Sequence, residues 1–307
     1  MGIHKPILYG TIRVDDRIGG RSPWWSAVAL AVRSVNPAPA RVLKTFRTAC
    51  VVVAVVAGLV GAVMVVAPGS TDRYFSWPIG PPPLAGLVGA FYLASALIFT
   101  MVSRRGDWTA CRVVCFGILA FTLPTVVATM KHRELFDWSR WQAVVWVALF
   151  VGSPVAFSSI LYVLRGRAPS ASSPLPLSTR TILGILGPIY ALLAAGLLLV
   201  PGRLEGASPY ALPGLSGRFL GSWSAFLAVV ALFLLVRNDH DESRVGLAAL
   251  FLWPLAAVAA TVRSFNDLQP ASHRLSYLVA WLGLASLGGG AFAAYAVRAA
   301  GGKGASV

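Results

Sequence analysis

Acidic side chains are scarce in this chain, with 11 Asp and Glu among 307 residues and only 12% charged residues of either sign. A soluble domain carries about twice that charged share, so a water-solvated globule is excluded. Cysteines number 3 and histidines 4. Cys50, Cys111 and Cys115 offer no disulfide framework. Cys111 and Cys115 lack the Cys-x-x-Cys or His-x3-His spacing of a zinc site, and they fit small buried thiols. His4, His132, His240 and His273 all fall outside the long apolar runs, which leaves no histidine pair to ligate a haem between helices. Walker-type phosphate loops, nucleophile elbows and His-Glu-x-x-His motifs are missing. The sequence therefore points to no catalytic residue, no metal and no cofactor.

Apolar residues are what the chain has in excess: 57% are hydrophobic, and the mean hydropathy is +0.72. A helix needs about 20 apolar residues to cross a bilayer core. Eight runs meet that length, near Phe46–Val66, Leu84–Val102, Cys111–Met130, Gln142–Leu164, Thr181–Val200, Phe219–Val236, Val245–Val262 and Ser276–Val297. The expected fold is an all-α integral membrane protein with eight transmembrane helices. No Asp, Glu, Lys or His lies inside these runs, and Arg47 and Arg112 sit at their ends. Ion- and proton-coupled transport normally relies on an ionisable group within the bundle, so this pattern speaks against pumps and secondary active carriers.

The net charge of +15 follows the topology. Of 26 Lys and Arg, 18 fall on one set of alternate loops and termini and 8 on the other. The positive-inside bias then places both termini in the cytoplasm, with anionic lipid head groups as natural contacts. Nucleic acid is not an expected partner, because no basic stripe is interleaved with stacking aromatics. Arg exceeds Lys by 22 to 4, a composition that fits a high-GC bacterial genome and hence a bacterial inner membrane. Residues 1–44 read as a cytoplasmic arm without a secretory-signal core, so the first helix directs insertion. Within the arm, Ile7 to Val14 read as an extended piece. Ser22-Pro23 then open a short amphipathic helix with Trp24 and Trp25 that suits the head-group layer. The arm is a topogenic surface segment or, alternatively, a docking arm for other membrane subunits.

Residues 165–180, "RGRAPSASSPLPLSTR", form a cytoplasmic linker rich in Ser and Pro. It separates a first four-helix unit, 45–164, from a second, 181–298, ahead of a tail at 299–307. "RGDWTACR" at 105–112 matches "RNDHDESR" at 237–244 with a shift of 132, pairing Arg105 with Arg237, Asp107 with Asp239 and Arg112 with Arg244. At the same shift Gly89 meets Gly221. A shift of 130 pairs Phe121, Pro124, Arg133 and Asp137 with Phe251, Pro254, Arg263 and Asp267. Pro68-Gly69 meets Pro201-Gly202 at 133, and Trp146 meets Trp281 at 135. An even helix count per unit makes the repeats parallel, in tandem, about an axis along the membrane normal.

These repeated positions are the candidate site residues. Arg105, Arg112, Arg237 and Arg244 form a local ion network in the cytoplasmic turns, with Asp107 and Asp239 as helix caps, or they contact anionic head groups. Arg133 and Arg263, each four residues before an aspartate, terminate helices at the opposite surface or hold an anionic head group there. Pro124 and Pro254 bend the third and seventh helices, either bordering a cavity or only shaping the bundle. Trp77, Trp138, Trp141, Tyr74 and Tyr210 read as an interfacial aromatic belt, and Gly288-Gly289-Gly290 as close helix packing. "HDES" at 240–243 matches no mechanism.

Around Tyr74-Phe75-Ser76-Trp77, Pro78, Pro81–Pro83 and Gly89-Ala90-Phe91-Tyr92, the sequence resembles uncharacterised polytopic membrane proteins of high-GC bacteria. The resemblance covers mainly the first repeat and implies membrane topology without an activity. The leading functional expectation is a non-enzymatic inner-membrane component or scaffold subunit with lipids and other subunits as partners. A passive or partner-driven permease for a lipid-like molecule comes second. A lipid-head-group-modifying enzyme comes third, resting only on interfacial carboxylates.

Overall fold

The computed structural model describes residues 38–105, 108–165 and 173–304. The arm up to residue 37, Gly106, Asp107, residues 166–172 of the linker and residues 305–307 lie outside the described residues. The chain divides into two units, Met1–Arg41 and Val42–Val307. Of the first, only residues 38–41 are described, as the opening turn of α1.

Among the described residues, eight long apolar helices follow one another: α1 (Ala38–Val66), α2 (Pro82–Arg104), α3 (Trp108–Lys131), α4 (Trp141–Leu164), α5 (Leu177–Leu199), α6 (Gly214–Arg237), α7 (His240–Arg263) and α8 (Arg274–Gly304). Each has the length and composition to cross a membrane, and the molecule is a polytopic membrane protein. Proline marks the entries: Pro81, Pro176 and Pro213 immediately precede α2, α5 and α6, where a fixed φ and a missing N–H cost nothing. Single helical turns, Thr71–Tyr74 and Pro201–Leu204, lie in the connections after α1 and α5.

The helices form an inner and an outer set. About half or more of each apolar span is buried in α2, α3, α6 and α7, whereas α1, α4, α5 and α8 turn most of theirs outward. Packing runs α5 on α6, α7 on α8, α3 on α6, α2 on α7 and α3 on α4, with α3 and α7 meeting at the centre. Aliphatic faces on the outer set, such as Leu59, Val144, Leu192 and Val279, are exposed as lipid contact requires.

Aromatic rings fill the space between α2, α3, α4 and α6. Trp77 sits 4.7 Å from Trp146 and 5.5 Å from Phe219, centroid to centroid, and its indole N–H donates to Ser216 Oγ at 3.4 Å. Phe121 packs 5.0 Å from Trp223, and Trp223 lies 5.2 Å from Phe91. These edge-on and tilted pairs are favourable ring geometries. The aromatic belt is thus corrected in part. Trp138 and Trp141 are exposed, but Trp77 and Tyr210 are buried at 2% and 6%, because their loops fold back over the bundle end.

Glycine permits the closest crossings. A Cβ on Gly89 of α2 would lie 2.7 Å from Met64 Cβ and 3.0 Å from Val65 N of α1. A Cβ on Gly221 of α6 would lie 2.9 Å from Leu197 Cβ and 3.0 Å from Leu198 N of α5. Gly288 of α8 rests against the Leu250 carbonyl and the Phe251 backbone of α7. Leu250 is four residues before Pro254, which has no N–H to donate to its carbonyl. The proline bend and the glycine therefore meet at one crossing.

Candidate functional site

Two clusters of polar and charged groups stand out, one at each end of the bundle. At the end carrying the α2–α3 and α6–α7 turns, Asn238 closes α6 in a left-handed conformation, φ 48°, and its Oδ1 accepts from the Leu175 amide at 3.1 Å. Asp239 then caps α7, its Oδ1 accepting from the Glu242 amide at 3.0 Å, as expected for an aspartate at this position. His240 stacks on Tyr295 of α8 with centroids 4.2 Å apart.

Glu242 is fully buried in the first turn of α7. Arg112 of α3 donates from Nε to Oε1 at 2.7 Å and pairs with the same oxygen through Nη2. Arg237, at the end of α6, donates from Nε to Oε2 at 3.1 Å. The Arg112 guanidinium also lies over the Phe233 ring, 5.6 Å from its centre. One carboxylate therefore ties together α3, α6 and α7, three of the four inner helices. The expectation that no acidic group enters a span is corrected here. The seventh apolar run was bounded at Val245, whereas α7 starts at His240, because the Asp239 cap extends the helix outward through polar residues. A signal was present in Asp239-x-x-Glu242, the spacing of an N-terminal capping box. In such a box the glutamate turns back to the cap residue, but here two arginines hold it.

Arg112 and Arg237 thus converge on an internal carboxylate. Arg105 lies half-buried at the end of α2, and Arg244 is exposed on α7. Asp107 lies outside the described residues. Cys50, Cys111 and Cys115 are buried.

At the opposite end, the two Arg/Asp spacings form no ion pair among the described residues, because α3 ends at Lys131 and α7 at Arg263 before a helical turn is completed to the aspartates. Asp137 instead accepts from the hydroxyl and amide of Ser139 at 2.6 and 3.1 Å, and these bonds hold its carboxyl below the usual range. Arg133 is exposed. Arg218 of α6 approaches His132 Nε2 at 2.9 Å. A guanidinium only donates, so Nε2 is the acceptor in this contact. Burial first, then the Arg218 charge, pushes the His132 pKa down.

Arg263 stands at the mouth of a lateral groove between α2 and α7. The groove encloses about 320 Å³, and Val65 and Pro68 of the α1 end close its upper flank. Gly86, Ala90 and Ala94 of α2 recur every four residues along one wall, and Leu252, Ala256 and Ala260 of α7 along the other. Small side chains at one helical face leave the space that larger ones would fill. The Arg263 guanidinium donates to the Val65 carbonyl. A recess of about 430 Å³ with mixed polar and apolar walls continues outward past Arg263, Ser264 and Asp267 to the Pro81–Pro83 run. Neither Pro124 nor Pro254 lines the groove, and the sequence offered no sign of it beyond the small-residue spacing.

Compared with family models, with curated proteins and with solved structures, the chain matches none of them. The functional reading therefore rests on the geometry alone.

Proposed function

We propose that this protein is a non-enzymatic component of a bacterial inner membrane, a scaffold subunit that presents helix faces to partner chains. Two parallel four-helix halves with both termini cytoplasmic account for its construction. The carrying observation is the filled interior: aromatic rings pack between α2, α3, α4 and α6, and the buried carboxylate is held by two arginines, so its polar chemistry serves cohesion. The duplication is supported by the matching crossings of Gly89 on Met64-Val65 and Gly221 on Leu197-Leu198, which follow the shifts of 132 and 133 seen in the sequence. In each half the second and third helices are the buried ones.

Purification in mild detergent tests the subunit reading. Other membrane chains are expected at fixed stoichiometry, and a protein that stays monodisperse and alone across several mild detergents counts against it. Orientation has its own test. In a Gly106→Cys variant the native cysteines are buried, so an impermeant thiol reagent is expected to label only after the cells are opened. Labelling of intact cells would reverse the topology.

A second reading, a passive or partner-driven permease for a lipid-like molecule, is favoured by one observation. The α2–α7 groove opens sideways and carries a charged mouth.

A further inference from the structure

We propose that the α2–α7 groove is a site for one glycerophospholipid whose head group joins a phosphate to a primary ammonium, with an acyl chain in the groove and the head group in the recess above it. The inference rests on the lipid-handling reading and names its ligand.

The first argument is depth. Leu252 to Arg263 spans eleven helical steps, about 16 Å at 1.5 Å per residue, which is about half of a 30 Å hydrocarbon core. The groove thus reaches from the surface where Arg263 sits to roughly the bilayer midplane, the extent of one leaflet. Its lining is almost wholly apolar below Arg263, which suits a hydrocarbon chain and opposes a polar solute.

The second argument is charge. Arg263 ends α7, and one of its N–H groups goes to the Val65 carbonyl. A guanidinium has five such donors in a planar fork, so the remainder match two oxygens of a phosphate. Asp267 lines the same recess and makes no ion pair with Arg263 among the described residues. A cation is the complement of that carboxylate. A phosphate and a protonated amine separated by a short linker place one charge on each partner. Phosphatidylglycerol supplies only the anion, and the quaternary ammonium of phosphatidylcholine has no N–H to donate.

The third argument is shape. Pro81, Pro82 and Pro83 wall the outer recess with side chains that cannot swing into it, so the space above Arg263 persists when the site is empty.

The test is native mass spectrometry of the full-length protein released from nanodiscs holding equal amounts of phosphatidylethanolamine, phosphatidylglycerol and phosphatidylcholine. One retained lipid per chain is expected, with phosphatidylethanolamine favoured about fivefold over the other two, the scale of an exposed ion pair. Arg263→Gln is expected to lower retention about tenfold, Asp267→Asn to erase the preference for the amine while leaving a lipid bound, and Ala260→Leu to expel the lipid by filling the groove. Arg203→Gln, which alters an exposed arginine lining neither the groove nor the recess, is expected to change nothing. All variants are first checked for the melting temperature of the parent protein, and Ala256→Leu replaces Ala260→Leu if the latter misfolds. Equal retention by parent, Arg263→Gln and Ala260→Leu overturns the site, as does an Arg203→Gln loss matching that of Arg263→Gln. Equal retention of the three lipids by the parent protein overturns the amine assignment. Retention with the expected preference but without lipid movement between leaflets upholds the site and refutes only the permease.

Discussion

Replacing Glu242 by alanine is expected to destabilise the folded protein by about 3–5 kcal/mol, the cost of removing one member of a buried ion cluster and leaving its partners uncompensated. Arg112 is the partner left most exposed to that penalty, since its side chain is only 18% accessible and lies over Phe233. Arg237 is 39% accessible and can turn toward water or phosphate, so Arg237→Gln is expected to cost about 1 kcal/mol or less. Substituting both core partners together, Arg112→Met with Glu242→Leu, removes the desolvation penalty along with the attraction. It is expected to recover most of what Glu242→Ala loses. Thermal unfolding of the purified variants in one detergent gives the comparison. A Glu242→Ala protein that melts like the parent would show that the three-helix clasp does not hold α3, α6 and α7 together.

The glycine crossings give the second large effect. Gly89→Ala and Gly221→Ala each force a methyl group against a neighbouring helix backbone at about 3 Å, and overpacking of this kind costs roughly 1–3 kcal/mol. Gly184 and Gly283 have nothing within 4 Å of the same added carbon. Alanine there is expected to be neutral or to stabilise by about 0.5–1 kcal/mol through its better helix propensity. The two crossings are proposed to be copies of one ancestral contact, so the costs at Gly89 and Gly221 are expected to agree within about 0.5 kcal/mol, while the two controls keep the parent's stability. A large loss at only one of the crossings would separate them and weaken the duplication.

The groove and the clasp show why much of the candidate site escaped a linear reading. Arg112, Arg237 and Arg263 are all repeated basic positions, and nothing local tells them apart. Two of them bind an internal carboxylate, and the third borders an apolar groove. Glu242 reads in the sequence as one interfacial carboxylate among several, because its neighbours along the chain, His240, Asp241 and Ser243, look like an exposed polar turn. Burial came from α3, whose Arg112 is 130 positions away. Trp77 was placed at a lipid interface by its position in a loop, and the loop's return to Ser216, 139 positions away, put it in the core.

By itself, the sequence determined that the chain crosses a membrane, how many long apolar helices it has and roughly where each begins and ends. Those properties are local. An apolar run of about 20 residues satisfies its own backbone hydrogen bonds as a helix wherever it lies, and proline or charge ends it. Only the tertiary structure decided which four helices lie inside, which carboxylate is buried between arginines and where two helix faces part to leave a groove. Those features depend on side chains from distant segments meeting, and in a chain whose helices are apolar on nearly every face, hydrophobic periodicity does not say which faces meet.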